Sequence, residues 1–179
     1  MSKSLISRMI RASRLEVDLY EEVEADTTAT WQAFQAVIIA SLASSLGFGI
    51  LSLRIEGGTS FLGGLALGLG MSIVGWLAWS LLAYWLGTTI FKGPETSATV
   101  GELMRTIGFS NSPRVLGFLL FIPILGLVIN FIVSIWALVA GVIAVRQALD
   151  FSTLRAIGTC VVGWIIYSIL LSIVTWIVM

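Results

Sequence analysis

The sequence predicts an all-α, multi-pass membrane helix bundle with five membrane helices, the third of them short and preceded by an amphipathic interfacial helix. Its 179 residues are 58% hydrophobic and 11% charged, and the mean hydropathy is +1.01. Soluble domains carry about 25% charged residues, so this composition indicates an integral membrane protein. Ten basic and ten acidic residues cancel, and the net charge therefore gives no indication of a nucleic-acid partner.

Four stretches without a charged residue follow the first thirty positions. Each is long enough for the roughly 20 residues that cross a bilayer. The first begins after about thirty mostly polar residues, too late for a signal peptide, so we expect it to stay in the mature protein. The four stretches are 31–53, 61–91, 115–145 and 156–179.

The stretch 115–145 decides how many times the chain crosses the membrane. Its length corresponds to about 46 Å of helix, too long for one upright span and too short for two. Pro123 and Gly126 supply a break, which predicts a short third helix and a full fourth helix. A single tilted span kinked at Pro123 is the alternative. The five predicted membrane helices cover 31–53, 61–91, 113–122, 124–146 and 156–178.

The basic residues predict the orientation of the bundle. Those before the first span place the N-terminus in the cytoplasm. If 115–145 crosses twice, Arg146 and Arg155 also lie on the cytoplasmic side and the C-terminus lies outside. We expect this topology in the inner membrane of a bacterial cell. The basic residues before the first span are Lys3, Arg8, Arg11 and Arg14.

Residues 1–30 form a cytoplasmic segment that is first amphipathic and then acidic. At 100° per residue, its basic side chains fall on one helix face and its apolar side chains on the other. This pattern predicts an interfacial helix that binds anionic lipids through Arg8, Arg11 and Arg14. A disordered basic tail is the alternative. The apolar face comprises Leu5, Ile6, Met9, Ile10 and Val17.

Six acidic residues follow between Glu16 and Asp26, in the segment EVDLYEEVEAD. Carboxylates at this place favour the positive end of the first span, and Asp26 or Thr27 can cap it. We expect a solvated acidic face. A divalent-ion or protein-docking site is the alternative, although the segment lacks the loop signature of such a metal site.

The second predicted span is rich in small residues, with Gly64 and Gly68 four positions apart. Small residues let helix backbones approach closely in lipid. We expect an internal packing face here, and homo-oligomerisation through this helix is the alternative.

The motif GFSNSPR, residues 108–114, is a polar interruption in this apolar chain. Upstream of it, Thr99 and Glu102 have the spacing of a capping box and begin a short interfacial helix. That helix should end by Asn111 or Ser112, because a residue before proline avoids helical geometry. Ser112 as N-cap and Pro113 at the first helical position then begin the third membrane helix.

A broken membrane helix is a candidate site for an anion. Discontinuous membrane helices often bind ligands at such ends, which makes Arg114, Ser112 and Arg105 candidates for binding a lipid phosphate or an acidic side chain. An arginine in a first helical turn opposes the helix dipole, and this favours an anionic partner. A capped turn at the headgroup level without a binding role is the alternative.

The residue types that are absent exclude most catalytic chemistry. The chain has no histidine, and its one cysteine, Cys160, lies in an apolar stretch. These facts exclude His-dependent triads, histidine metal sites and an intrachain disulfide. The four stretches offer no general base at membrane depth, so we predict no catalytic residue, metal or cofactor. The same absence of ionisable groups disfavours ion transport.

Two short motifs resemble those of the Yip-one (Ypt/Rab-interacting protein) family. Gly108, Phe109, Ser110 and Pro113 resemble its GYSxxP motif, with Phe109 in place of the tyrosine. The order of an acidic DLY segment, two spans, this motif and further helices also agrees, and the chain is most similar to the compact prokaryotic members. The second motif, DLY, comprises Asp18, Leu19 and Tyr20.

The resemblance implies a five-helix bundle with a cytoplasmic N-terminus. In eukaryotic members it implies a scaffold role in vesicle trafficking, membrane shaping and the binding of prenylated Rab GTPases. We therefore expect a non-catalytic membrane scaffold or adaptor that contacts anionic lipids and a membrane or peripheral protein partner. A small transporter or channel that uses the broken helix at 108–114 is the alternative.

Overall fold

The computed structural model describes residues 4–53, 60–122 and 124–178. Within them the chain is 84% helical and has no strand, in agreement with the predicted all-α class. Lys3, Pro123 and residues 54–59 between the first two uncharged stretches lie outside the described residues. The described chain forms helices α1 Leu5–Ser13, α2 Val17–Ala25, α3 Ala29–Ser52, α4 Phe61–Thr89, α5 Val100–Ser110, a 3₁₀ helix Ser112–Phe121, α6 Leu125–Ala148 and α7 Thr153–Val178.

Four of these helices are long and apolar enough to cross a membrane. Each falls on one of the four uncharged stretches of the sequence, and together they confirm a multi-pass integral membrane protein. The spans are Ala29–Leu51 in α3, Phe61–Thr89 in α4, Leu125–Ala148 in α6 and Thr153–Leu170 in α7.

The predicted third membrane helix is a 3₁₀ helix of ten residues, Ser112–Phe121. At about 2.0 Å per residue it is roughly 20 Å long, less than the ~30 Å hydrocarbon thickness, so it does not cross a bilayer alone. α6 packs back against it, and a Cβ on Gly126 would lie 2.8 Å from the carbonyl oxygen of Leu119. The alternative of one long kinked span is therefore wrong, because the two elements lie side by side.

α3 packs against α4, α5 and the 3₁₀ helix. Its small side chains permit these close approaches. A Cβ on Gly117 would lie 3.3 Å from the Cα of Ser44, and one on Gly47 would lie 2.7 Å from the carbonyl oxygen of Phe118. Ser44 Oγ also donates a hydrogen bond to the Arg114 carbonyl at 2.9 Å. The 3₁₀ helix is thus held directly against the α3 backbone.

α4 lies between α3 and α7 and runs antiparallel to both. Gly68 lies beside Ser45 of α3, and Gly75 beside Tyr167 of α7. Trp79 and Tyr167 also meet edge to face, with ring centroids 6.4 Å apart. Some of the glycines of α4 therefore serve packing inside one chain, whereas a Cβ on Gly70 would meet no atom within 4 Å.

Candidate functional site

The polar side chains of the break between α5 and the 3₁₀ helix bond to the backbone that the break leaves open. Ser110 Oγ and Asn111 Nδ2 each donate to the carbonyl of Ile107 at 2.8 Å. Ser112 Oγ donates to the carbonyl of Phe109 at 2.6 Å. Backbone groups in an apolar environment need such partners, since an unpaired group there costs several kcal/mol. The motif therefore closes the end of α5.

The predicted capping roles in this region are half right. Thr99 and Glu102 form the capping box at the start of α5, as predicted. Ser112 is not the N-cap of the next helix, because the helix begins at Ser112 itself and Asn111 precedes it without a side-chain cap. The Ser112 hydroxyl donates back to a carbonyl of α5, and so it cannot also donate that proton elsewhere.

The remaining motif residues of this region are packing residues. Gly108 approaches α3 so closely that a Cβ would lie 2.7 Å from the Cβ of Ala33. Phe109 and Pro113 are fully buried. Phe109 belongs to the main core, where the hydroxyl of a tyrosine would need a partner.

Arg114 differs from the other polar residues of the break. Its backbone is bonded, with the amide to the Asn111 carbonyl at 2.9 Å and the carbonyl to Ser44. Its side chain is exposed, and within the described residues its guanidinium has no hydrogen bond or ion pair. It is therefore the cation of the motif that remains available to a ligand.

Arg105 on α5 is buried and binds the C-terminal end of α2. Its Nε donates to the carbonyls of Val23 at 2.8 Å and Glu24 at 3.1 Å, and its Nη2 also donates to the Glu24 carbonyl. The last carbonyls of a helix carry partial negative charge, so a guanidinium at this place stabilises α2. The polar side of α5 thus faces α2, which differs from the interfacial arrangement that the sequence predicted.

Arg8 and Arg11 join α1 to the acidic segment. Arg8 is 1% exposed and donates to Glu22 at 2.9 and 3.1 Å, to Asp26 at 2.7 Å and to Gln32 at 2.8 Å. Arg11 donates to Glu16 at 2.9 Å and to Glu22 at 2.6 Å. These guanidinium groups have carboxylate partners within the chain, so the predicted binding of lipid phosphates by Arg8 and Arg11 would compete with ion pairs already formed.

Hydrogen bonds from Thr28 and from the arginines lower the pKa values of Asp26 and Glu22. The pKa of Asp26 falls to about 2, first through its hydrogen bond with the Thr28 hydroxyl and then through Arg8. The pKa of Glu22 also falls, chiefly through its hydrogen bond with Arg11. The side of the acidic segment that faces α1 is therefore charged and paired with arginines, and does not form a freely solvated face.

α1 exposes Ile6 and Ile10 of its predicted apolar face, whereas Met9 is buried and Leu5 packs against the core. Ile6 is 70% exposed and Ile10 is 49% exposed, while Arg8 on the opposite face is buried. Arg14 is exposed at the end of the helix. Trp136 of α6 donates its ring N–H to the Ser13 carbonyl at 2.8 Å and ties this end to a span. An apolar outer face beside a span suits a bilayer interface.

The DLY motif lies in the first turn of α2. Leu19 and Tyr20 are fully buried, and the Tyr20 hydroxyl donates to the Ala12 carbonyl of α1 at 3.4 Å. Burial raises the pKa of Tyr20. Asp18 is exposed at the positive end of α2, where a carboxylate is favourable. Two of the three residues therefore pack α2 on the protein, and Asp18 remains on the surface.

On the side of α2 that faces α6, acidic groups from three parts of the chain lie near one another. Burial raises the pKa of Glu24 to about 7, and the nearby charges of Asp150, Glu102 and Glu21 contribute to the increase. Glu21 accepts a hydrogen bond from Gln147 of α6 at 2.9 Å. No cluster of three metal-ligating side chains occurs among the described residues.

Sequence reasoning missed the partners that give these residues their roles. Gln32, Trp136 and Gln147 bind the N-terminal segment across separations of 24, 123 and 126 residues. No spacing rule links positions so far apart. The one available signal was the presence of glutamine near the ends of two spans, where it needs a polar partner.

The comparisons with known proteins give one finding. The model of the Yip1 domain family matches residues 17–178. The match covers α2 through α7, and so includes both motifs that carried the resemblance. Searches of the curated proteins and of the solved structures found no match.

Proposed function

Because this chain belongs to the Yip1 domain family, whose members are generally non-enzymatic membrane proteins that interact with proteins, we propose that it is a membrane scaffold or adaptor. The working surface is the platform that α1 and α2 form at one end of the bundle. That end faces the cytoplasm of a bacterial cell, and the end of α7 lies at the opposite membrane surface. The antiparallel course of α3, α4 and α7 supports this arrangement.

The single observation that carries the proposal is the attachment of α2 to the bundle through Arg105. A helix of nine residues is marginal in isolation, because nucleation is costly. Here the buried guanidinium holds the last carbonyls of α2, while Leu19 and Tyr20 pack beneath it. A charged helix that is held rigidly presents a defined surface to a partner at a low entropy cost.

The polar groups of the break support a structural role in place of a catalytic one. Ser110, Asn111 and Ser112 all donate to carbonyls of α5. Arg114 is the exception, and we assign it the phosphate of an anionic lipid headgroup. A long side chain can place its charge at the membrane surface while its stem stays in the apolar region. A guanidinium also binds phosphate with two parallel hydrogen bonds.

A small transporter or channel is the second candidate, and the discontinuity between α5 and α6 favours it. Transport proteins use broken helices of this kind as binding sites. Flux in reconstituted liposomes that is lost in Arg114→Ala would establish this function in place of the scaffold. Unchanged permeability of liposomes that contain the wild-type protein would exclude it.

Site-specific crosslinking in native membranes tests the scaffold. A photoreactive residue at Asp18 or Glu21 should give defined protein adducts, because both positions are exposed on α2. Arg105→Met should abolish them by releasing α2, whereas Lys92→Ala, an exposed cation elsewhere, should not. Adducts that are absent, or that persist unchanged in Arg105→Met, would contradict the proposed platform.

Lipid binding is tested separately in nanodiscs. Phosphatidylglycerol should raise the unfolding temperature of the wild type relative to phosphatidylcholine, and Arg114→Ala should lose most of that increase. Arg155→Ala is the matched control, since Arg155 is also an exposed arginine next to a span. An equal loss in both variants would show a general charge effect and would remove the assignment to Arg114.

A further inference from the structure

One side of the bundle has a long apolar surface, formed by α4 and α7, which pack against each other. On α4 the exposed apolar residues run from Leu62 to Ile90, about 42 Å at 1.5 Å per residue. On α7 they run from Leu154 to Trp176, about 33 Å. Both lengths exceed the roughly 30 Å of the hydrocarbon region. This side, called the tall side here, is therefore apolar across the whole thickness of a bilayer.

The side that carries the 3₁₀ helix has a much shorter apolar surface. The 3₁₀ helix, which packs against α1 and α6, is roughly 20 Å long. On α6 the exposed apolar residues run from Leu125 only to Val139, about 21 Å. The rest of α6, from Ala140 to Leu149, is buried or partly buried. This side is called the short side here and comprises α1, the 3₁₀ helix and α6.

The two sides share the end of the bundle at which α3 ends. A Cβ on Gly49 of α3 would lie 2.8 Å from the ring of Phe61, the first residue of α4. The 3₁₀ helix runs parallel to α3, as the contacts of Gly117 and Phe118 with α3 show, so α6 begins at this end too. Tilting the bundle shifts both ends of a side together. Tilt therefore cannot explain why α6 is apolar over a length about 12 Å shorter than α7.

Arg114 lies near the middle of the bilayer on the short side. Its carbonyl accepts a hydrogen bond from Ser44 Oγ at 2.9 Å. Ser44 is only about 12 Å from Ser52, where α3 ends, and Arg54 and Glu56 follow directly in the sequence. In a flat hydrocarbon layer of about 30 Å, about 18 Å would separate Arg114 from the other surface. That distance is more than an arginine side chain spans.

Arg14 gives a second, independent indication of where polar surroundings begin on the short side. The Ser13 carbonyl accepts a hydrogen bond from the ring N–H of Trp136 at 2.8 Å. Trp136 is about 16 Å along α6 from Leu125. Arg14, next in the chain, is exposed at this level, and an exposed cation needs water or headgroups. Two cations from separate parts of the chain thus lie about 12–16 Å from the same end of the bundle.

We propose that the bilayer is thinner along the short side than along the tall side, with the phosphate of an anionic phospholipid drawn inward to Arg114. This inference rests on the proposed assignment of a lipid phosphate to Arg114 and deepens it. A cation within the membrane needs a partner, and no carboxylate of the described residues pairs with this guanidinium. Headgroups drawn toward it shorten the hydrocarbon to the length that the short side covers.

Bilayer thickness tests the proposal in nanodiscs of phosphatidylglycerol whose acyl chains have 14, 18 or 22 carbons. Arg114→Leu should lower the unfolding temperature most in the thinnest bilayer. That loss should shrink by about half or more in the thickest one, because longer chains make local thinning more costly. Arg155→Leu is the matched control, since Arg155 is an exposed arginine at the start of α7 on the tall side. Its effect should not change with chain length.

The outcomes separate the depth of the site from its existence. A loss in Arg114→Leu that is equal in all three bilayers would place the phosphate at the ordinary headgroup level. It would overturn the thinning and leave the lipid assignment intact. No loss in any bilayer would remove both. The same chain-length dependence in Arg155→Leu would show a general response of the bundle and would also contradict the proposal.

Labelling with a small charged thiol reagent measures the thinning directly. In a Cys160→Ser background, Val139→Cys probes the short side and Leu81→Cys the tall side. Leu149 of α6 packs on Gly87 of α4. Val139 lies about 15 Å from that contact, whereas Leu81 lies only about 9 Å from it. Because Leu81 is nearer to the end of the bundle that carries α2, a flat bilayer would make Leu81→Cys the more accessible of the two.

The proposal predicts the reverse order of labelling. Val139→Cys should react roughly tenfold faster than Leu81→Cys, because a charged reagent is excluded from hydrocarbon. The difference in exposure acts against this result, since Val139 is 41% exposed and Leu81 is 53% exposed. Arg114→Leu should reduce the ratio, and the unfolding temperature of each variant shows that it folds. Equal rates, or faster labelling of Leu81→Cys, would contradict a thinner bilayer at the short side.

Discussion

On the side of α2 that faces α1, acidic side chains meet arginines, whereas on the side that faces α6 they meet one another. Asp26 accepts hydrogen bonds from Thr28 and Arg8, and its pKa falls to about 2. Glu24, two residues away, is partly buried beside Asp150 and Glu102, and its pKa rises to about 7. Acidic residues that look alike in the sequence thus include a paired group and an unpaired group.

The difference indicates which side of α2 is fixed by ion pairs and which side can respond to pH or to a cationic partner. The paired side, Arg8 and Arg11 with Glu16, Glu22 and Asp26, joins α1 to α2 through short charge-assisted hydrogen bonds. On the unpaired side, burial and the acidic neighbours of Glu24 outweigh the nearby charge of Arg105. A physiological change in pH or a cationic partner acts on the second group and leaves the first unchanged.

Arg8→Ala should have the largest effect, because it breaks the paired side. It leaves carboxylates of Glu22 and Asp26 without their buried partner, and the loss of one member of such a pair costs about 3–5 kcal/mol. Thermal or denaturant unfolding in nanodiscs measures this loss. Arg14→Ala is the matched control, since Arg14 is exposed, and should change the free energy of unfolding by less than about 0.5 kcal/mol. Equal effects would mean that the ion pairs contribute little.

Arg105→Met should release the C-terminal end of α2, which carries residues of both groups, from α5. The apolar substitute keeps most of the volume but leaves the carbonyls of Val23 and Glu24 without a donor. A hydrogen bond to a charged group contributes about 1.5–3 kcal/mol. Hydrogen exchange should accelerate in α2 and remain slow in α3. Uniform acceleration across both helices would show global unfolding in place of local release.

The sequence predicted the parts of the fold that follow from local rules. Uncharged stretches located the four long helices, and the Thr99–Glu102 spacing located the start of α5. The sequence did not reveal that α1 would bury Arg8 and expose Ile6. Helical periodicity separates a polar face from an apolar face, but it does not show which face packs against protein. In a membrane protein the apolar face can contact lipid, so it need not be the buried one. Only the position of Glu22 and Asp26 in space decides the matter.

The same limit applies to the candidate site. The motif at Gly108, Ser110 and Pro113 marked the break correctly, yet the sequence treated Arg105 and Arg114 as equivalent anion ligands. Arg105 reaches the carbonyls of a helix 81 residues earlier in the chain. No local pattern contains that contact, and so the sequence could not separate a structural arginine from an available one.

Glu24→Gln should remove the pH dependence that Glu24 contributes to stability on the unpaired side. Because folding raises the pKa of Glu24 from 4.5 to about 7, its contribution to stability is complete below about pH 4.5 and is lost as the pH rises through 7. The variant should therefore gain stability over the wild type at pH 8, by about 1 kcal/mol after solvent screening, and none at pH 4.

Asp26→Asn is the control for that pH dependence, because its effect has the opposite sign. Folding lowers the pKa of Asp26 from 3.8 to about 2, so its contribution is present above about pH 4 and is lost as the pH falls through 2. Unfolding measured from pH 2 to 8 should show Glu24→Gln more stable than the wild type toward pH 8, and Asp26→Asn less stable at every pH above about 4, with its difference from the wild type disappearing toward pH 2. Parallel pH profiles for both would contradict the division of α2 into two sides.

Asp18→Asn should have the smallest effect, since Asp18 belongs to neither group. It is exposed in the first turn of α2, where a carboxylate interacts with the helix dipole for about 0.3–1 kcal/mol. A loss of that size in unfolding, reduced by added salt, would identify a structural role for the acidic residue of the DLY motif. A stability equal to that of the wild type, together with lost crosslinks from Glu21, would instead identify Asp18 as a contact for the partner. Because Leu19 and Tyr20 are buried, this single substitution separates the two explanations of the motif without disturbing the core.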